Sequence, residues 1–157
     1  MTAQNWALSP LPFIPGQELS RIFYTEAVAP LLARFFGGLA HSAALVGYGS
    51  DVLGYDTPMS RDHMWGPRLI LCLPQDGFEG LCADVVAALR AHLPLTCRGY
   101  PTHFNAPDGE GVRLMQAVEQ PPVDHLVFIH TLPGFLQAEL GLDPTDALSL
   151  RRWLTLP

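Results

Sequence analysis

Gly47-Tyr48-Gly49-Ser50-Asp51-Val52-Leu53-Gly54-Tyr55-Asp56, running on through Ser60-Arg61-Asp62-His63-Met64-Trp65-Gly66-Pro67-Arg68, carries more chemical information than any other stretch of this chain. It follows an apolar run, Ser42 to Val46, that reads as a buried strand. Glycines after a strand let the backbone approach a ligand and turn N–H groups toward phosphate oxygens. Ser50 adds a hydroxyl donor. Asp62 then opens what reads as a second strand, disturbed at Gly66-Pro67 and resumed at Arg68 to Leu73.

On such a strand Asp62 and Met64 share one face and His63 takes the other. Asp62 is the candidate magnesium ligand, since that ion takes carboxylate oxygens together with substrate phosphate oxygens. Met64 offers only a thioether, a poor ligand for a hard ion. Asp51 and Asp56 read either as turn-stabilising acids or as substitute ligands reaching back into the pocket. Arg61 and Arg68 flank the site; each suits bidentate phosphate binding or a structural ion pair. Gly-Tyr-Gly-Ser is neither the dinucleotide fingerprint nor a nucleophile elbow.

The 157 residues predict one principal domain able to bury a substantial core. A hydrophobic fraction of 48% with 15% charged residues excludes disorder. No apolar run approaches the roughly 18 residues of a membrane span. The net charge is −6 without a basic cluster, which disfavours extended nucleic-acid binding. All nine basic residues are Arg, so any phosphate-binding cation is an Arg and lysine chemistry is excluded. Cys72, Cys82 and Cys97 sit singly among apolar neighbours and read as reduced packing thiols. With no basic, apolar leader at Met1 to Pro15, they point to the cytoplasm.

Apolar spacing predicts a helix over Gln17–Phe36 that Pro30 kinks or divides near Ala29. It predicts a second helix over Phe78–Leu93 and a third over Leu132–Leu140 stopped by Gly141. Strands are expected at Val112–Val118 and Leu126–Thr131. The element order favours an α/β (α+β) domain around a mixed sheet flanked by helices. Residues 1–15 read as an extended arm, 16–145 as the domain, and 146–157 as the start of a truncated helical region. The apolar side chains of that last region would need self-association or a partner chain to cover them.

Gly49-Ser50, Leu53-Gly54-Tyr55-Asp56, Ser60-Arg61-Asp62-His63 and Trp65-Gly66-Pro67-Arg68 together resemble a bacterial family of nucleotidyltransferase-like domains of the polymerase-beta type, a family of unknown function. The likeness extends to Phe13-Ile14-Pro15-Gly16 and Glu18-Leu19-Ser20-Arg21 at one end. At the other it takes in Thr131-Leu132, Gly134-Phe135 and Trp153-Leu154. The resemblance implies a nucleotidyltransferase-like fold that binds ATP or another nucleoside triphosphate with magnesium and transfers a nucleoside monophosphate. Gly49 and Ser50 would hold phosphate, and Asp62 would be the catalytic, metal-binding acid. Met64 stands where the family pattern has a second Asp, and the strand from His125 to Thr131 carries no acid. The expectation is therefore a nucleotide-binding domain with impaired transfer. The alternative is a catalytically inactive protein-interaction module on the same fold.

Overall fold

The computed structural model describes residues 11–62 and 64–142, with the backbone alone at Asp62. Gly16 starts a helical run that continues to Phe35 in three pieces: α1 (Gly16–Phe23), a π-helical turn (Tyr24–Val28) and α2 (Ala29–Phe35). The widened turn lies directly before Pro30. A proline there has no N–H to give and its ring crowds the carbonyl four residues back, at Glu26; loosening that turn accommodates both effects. Pro30 thus divides the helix near Ala29 as its sequence predicts.

The sheet has three strands in the order β1 (Ser42–Ala44), β2 (Arg68–Leu73), β5 (Leu126–Thr131). β1 pairs antiparallel with β2, placing Ala43 opposite Leu71. β2 runs parallel to β5 from Arg68 opposite Leu126 to Leu73 opposite Thr131. A parallel pair needs a crossover, and α3 (Phe78–His92) is part of it. A small hairpin follows, made of β3 (Thr96–Cys97) and β4 (Tyr100–Pro101). The domain is thus mixed α/β, a small mixed sheet with helices against it.

Period-two alternation along β2 decides where the core sits. Leu69, Leu71 and Leu73 face Leu19, Phe23, Val28 and Leu32 of the first helical run and Val85 and Leu89 of α3, all buried. Truncating one such leucine to alanine typically costs about 2–5 kcal/mol. The opposite face carries Ile70, Phe128 and His130. There α4 (Leu132–Leu140) folds back, and Phe135 meets His130 edge to face at 5.9 Å. Thr131 caps α4 by accepting from the Gly134 N–H at 3.0 Å, and Gly141 ends it in the left-handed conformation.

Three sequence expectations are corrected. The apolar run Ser42 to Val46, expected as a buried strand, is strand only over Ser42–Ala44, at the sheet edge, and is largely exposed. The stretch opening at Asp62 is not a strand. Pro58–Asp62 forms a 3₁₀ turn, and regular strand starts only at Arg68. Thr57 and Ser60 start the turn reciprocally: the Thr57 hydroxyl accepts from Met59 N–H at 3.3 Å, and the Ser60 hydroxyl accepts from Thr57 N–H at 3.0 Å. The face-sharing expected of Asp62 and Met64 on a strand therefore does not apply. Val112–Val118 likewise forms no strand. Its pairing shrinks to one bridge, Phe104 with Met115, flanked by Asn105 N–H to Leu114 O and Gln116 N–H to His103 O. Pro107, two residues beyond Asn105, has no N–H with which to extend the ladder. Of the N-terminal arm, residues 11–15 are described; they lack regular structure and lay Leu11, Phe13 and Ile14 on the core. The C-terminal expectation for 146–157 lies outside the described residues.

The three cysteines are free, on β2, α3 and β3. Burial pushes the Cys97 thiol up to about 11, helped by the charge of Glu26. His125, just before β5, shifts the other way. Burial is the largest cause and pulls its pKa from 6.5 to about 4, against the opposing charge of Asp124. Folded His125 is thus neutral where the unfolded chain takes up a proton. Its contribution to stability is complete above about pH 6.5 and is lost as pH falls toward about 4. Urea unfolding across that window should show His125→Gln losing less stability on acidification than the parent. Parallel curves would mean that His125 does not titrate differently on folding.

Candidate functional site

Between β1 and the 3₁₀ turn, the chain from Leu45 to Thr57 folds over the sheet end and is tied down at both ends by carboxylates. The first is Asp51. Its Oδ1 accepts from Arg68 Nη2 at 2.7 Å and its Oδ2 from Arg68 Nε at 3.0 Å. Oδ1 also accepts from the Val52 N–H at 3.0 Å. Both side chains are buried, 4% exposed for Asp51 and 5% for Arg68. Arg68 Nη2 donates to the Tyr48 carbonyl as well, at 2.9 Å, so one guanidinium gathers both flanks of Gly49-Ser50.

The second tie is Asp56. Its Oδ2 accepts from the Gly16 N–H at 2.7 Å and from Trp65 Nε1 at 2.8 Å. Pro15 cannot cap α1 with a side chain, so a carboxylate from 40 residues away does so, at the end of the helix that favours negative charge. Gln17 Nε2 donates to the Val52 carbonyl at 2.8 Å, and the Ser20 hydroxyl to the Arg68 carbonyl at 2.7 Å. The glycine-rich loop is therefore bolted to the first turn of α1.

Arg61 points elsewhere. Its guanidinium carbon lies 5.7 Å from the ring centre of Phe13, 5.6 Å from Trp65 and 5.2 Å from Tyr100. Trp65 stacks on Phe13 at 5.7 Å and meets Tyr100 edge-on at 5.3 Å. Arg61 Nη2 donates to the Tyr100 hydroxyl at 3.0 Å, and that hydroxyl donates to the Pro12 carbonyl at 3.1 Å. Arg61 holds the N-terminal segment against the body through cation–π contacts and this relay.

These ties leave a cavity of about 520 Å³. Tyr48, Gly49, Ser50, Asp51 and Arg68 line it together with Met59, Ser60, Met64, Trp65 and Val112. The structure thus brings Gly49 and Ser50 to one cavity with Ser60 and Met64. Those two residues bracket Asp62, whose side chain lies outside the described residues, as does His63. The Ser50 and Ser60 hydroxyls are 3.4 Å apart. The sequence points to Gly49 and Ser50, but not to Tyr48, Met59, Ser60 or Val112 as wall. No local signal marks Met59 or Val112. Ser60, three residues after Thr57, carries a capping signature from which its place could have been read.

The carboxylates offered as substitute metal ligands are both occupied by protein donors, Asp51 by Arg68 and Asp56 by Gly16 and Trp65. Among the described residues no group of three or more His, Cys, Asp or Glu is placed to hold a metal ion. The described donors therefore do not fit a site with two magnesium ions. Arg61 and Arg68, read as phosphate ligands, face aromatic rings and a carboxylate respectively. Comparison with protein-family models, curated proteins and solved structures gives no match. Among the described residues no helix is long and apolar enough to cross a membrane.

Gly49 and Gly47 both hold positive φ, 122° and 104°. At Gly49 a Cβ would lie 2.3 Å from Asp51 Oδ1 and 2.7 Å from Arg68 Nη2, whereas at Gly47 nothing stands within 4 Å. Gly47→Ala should therefore cost only backbone strain, about 1–2 kcal/mol. Gly49→Ala must also displace the buried pair and should cost more than about 3 kcal/mol. Denaturant midpoints measure the two. Equal costs would mean that the loop does not pack on Asp51 and Arg68 as described.

Proposed function

We propose that this cavity binds a nucleotide on a nucleotidyltransferase-like domain whose capacity to transfer a nucleoside monophosphate is impaired. The observation that carries the reading is the convergence of Gly49 and Ser50 with Ser60 and Met64 on one cavity of about 520 Å³. These are the two halves of the sequence pattern that resembles nucleotidyltransferases. The volume suits a small-molecule site, roughly 300–1,000 Å³. Impairment follows from charge. In-line displacement of a triphosphate relies on two ions stabilising the attacking and leaving oxygens. Asp51 and Asp56 serve the fold, so Asp62 is the acid left for magnesium, and one carboxylate holds such an ion weakly.

A second reading, a protein-interaction module, is favoured by Leu53, Tyr55 and Met59, which are 70%, 78% and 83% exposed on the same loop and turn. Under that reading nucleotide is no ligand.

Calorimetric titration separates the readings. ATP should bind the parent, with little change on adding magnesium. Met64→Asp puts a carboxylate on the cavity wall beside the Asp62 segment and should raise ATP affinity about tenfold with magnesium, while lowering it without. Adding Asp62→Ala to that variant should remove the gain. No ATP binding to the parent, with or without magnesium, would sink the nucleotide reading. A gain that survives Asp62→Ala would remove Asp62 from the metal role.

A further inference from the structure

We infer that the cavity recognises the nucleoside half of its ligand, a flat uncharged heteroaromatic ring with its sugar, and leaves the phosphates in solvent. This rests on the nucleotide reading above and departs from what the glycine-rich turn by itself suggests.

Charge is the first ground. The cation in the described wall is Arg68, and its Nε and Nη2 are given to Asp51 while Nη2 also serves the Tyr48 carbonyl. The pair is neutral overall and buried. A phosphate approaching the remaining Nη1 of Arg68 would meet a charge already compensated by Asp51, with that carboxylate beside it repelling the anion, so the pair makes a poor phosphate site. Arg61, the other nearby cation, is turned into the Phe13, Trp65 and Tyr100 rings.

The wall is the second ground. Tyr48, Met59, Met64 and Val112 contribute one aromatic ring, two thioethers and a branched aliphatic group, while Trp65, also in the lining, is 2% exposed and already packed on Phe13 and Tyr100. Thioether and aromatic surfaces are polarisable and pack well on a planar ring. Tyr48 and Met59 are 64% and 83% exposed, so a ring entering the mouth would cover apolar surface that now faces water. Met64 stands where an acid would serve metal and phosphate, and it brings apolar surface instead.

Hydrogen bonding is the third. The Ser60 hydroxyl accepts from Thr57 N–H at 3.0 Å and lies 3.4 Å from the Ser50 hydroxyl. Both hydroxyls line the cavity, where either can donate toward a ring nitrogen or a sugar oxygen. A hydroxyl donor of this kind suits a neutral acceptor.

The test compares adenosine, ATP and inorganic tripolyphosphate by calorimetry without magnesium, at low and high salt. Adenosine should bind within about threefold of ATP, tripolyphosphate should neither bind nor compete, and raising salt tenfold should change the ATP dissociation constant less than about twofold. Tyr48→Ala, at an exposed position, should weaken adenosine and ATP alike by roughly tenfold or more through lost stacking. ATP binding tenfold or more tighter than adenosine, with tripolyphosphate competing, would overturn this inference and leave the nucleotide reading standing. Binding of neither adenosine nor ATP would overturn both. Weakening of ATP alone by Tyr48→Ala would show that the ring contacts phosphate-proximal groups and would also overturn the inference.

Discussion

The Asp51–Arg68 ion pair is the constraint on which the candidate site depends. It joins the first residue of β2 to a loop 17 positions earlier, and through Arg68 Nη2 it also holds the Tyr48 carbonyl. Taking two charges out of water costs several kcal/mol per ion, and the pair recovers that only with good geometry and further hydrogen bonds. Both conditions hold: the contact is bidentate, and Val52 N–H and the Tyr48 carbonyl satisfy further groups of the pair. The pair then dictates its neighbours. Position 49 must be glycine because a Cβ would strike the carboxylate and guanidinium. Gly16 must also be small, because a Cβ there would lie 2.5 Å from Asp51 Cβ. The start of α1 can therefore sit directly on the loop, where Asp56 caps it.

Residues that look like chemistry in the linear chain are used to build the wall. Asp51, Asp56, Arg61 and Arg68 hold, respectively, a guanidinium, a helix terminus with an indole, an aromatic trio, and the loop backbone. Beside the Asp51–Arg68 pair, the side chains that line the cavity are apolar or hydroxylic. Under the proposed nucleotide reading, the site thereby turns toward the uncharged part of the ligand.

Regular structure is legible where apolar periodicity is strong. The strands Arg68–Leu73 and Leu126–Thr131 and the helix Leu132–Leu140 agree with their sequence patterns, and α3 stops one residue before its expected end. The Asp62 segment misleads because its apolar residues, Met64 and Trp65, resemble a strand. The local Thr57–Ser60 cap and the Gly66-Pro67 break instead favour a 3₁₀ turn followed by irregular chain. The roles of Asp51 and Asp56 cannot be read locally. Their partners, Arg68 and Gly16, are 17 and 40 residues away. A lone Asp in a glycine-rich loop looks alike whether it meets a metal, a helix end or an arginine. Arg61 is hidden for the same reason, since its three rings converge from different parts of the chain.

A double-mutant cycle on Asp51 and Arg68, followed by denaturant unfolding, addresses the account most directly. Each single replacement, Asp51→Leu or Arg68→Met, strands a buried charge and should cost about 3–5 kcal/mol, while the double variant should cost less than the sum by about 2 kcal/mol or more. Single costs below about 0.5 kcal/mol that simply add would place both groups in water and contradict the account.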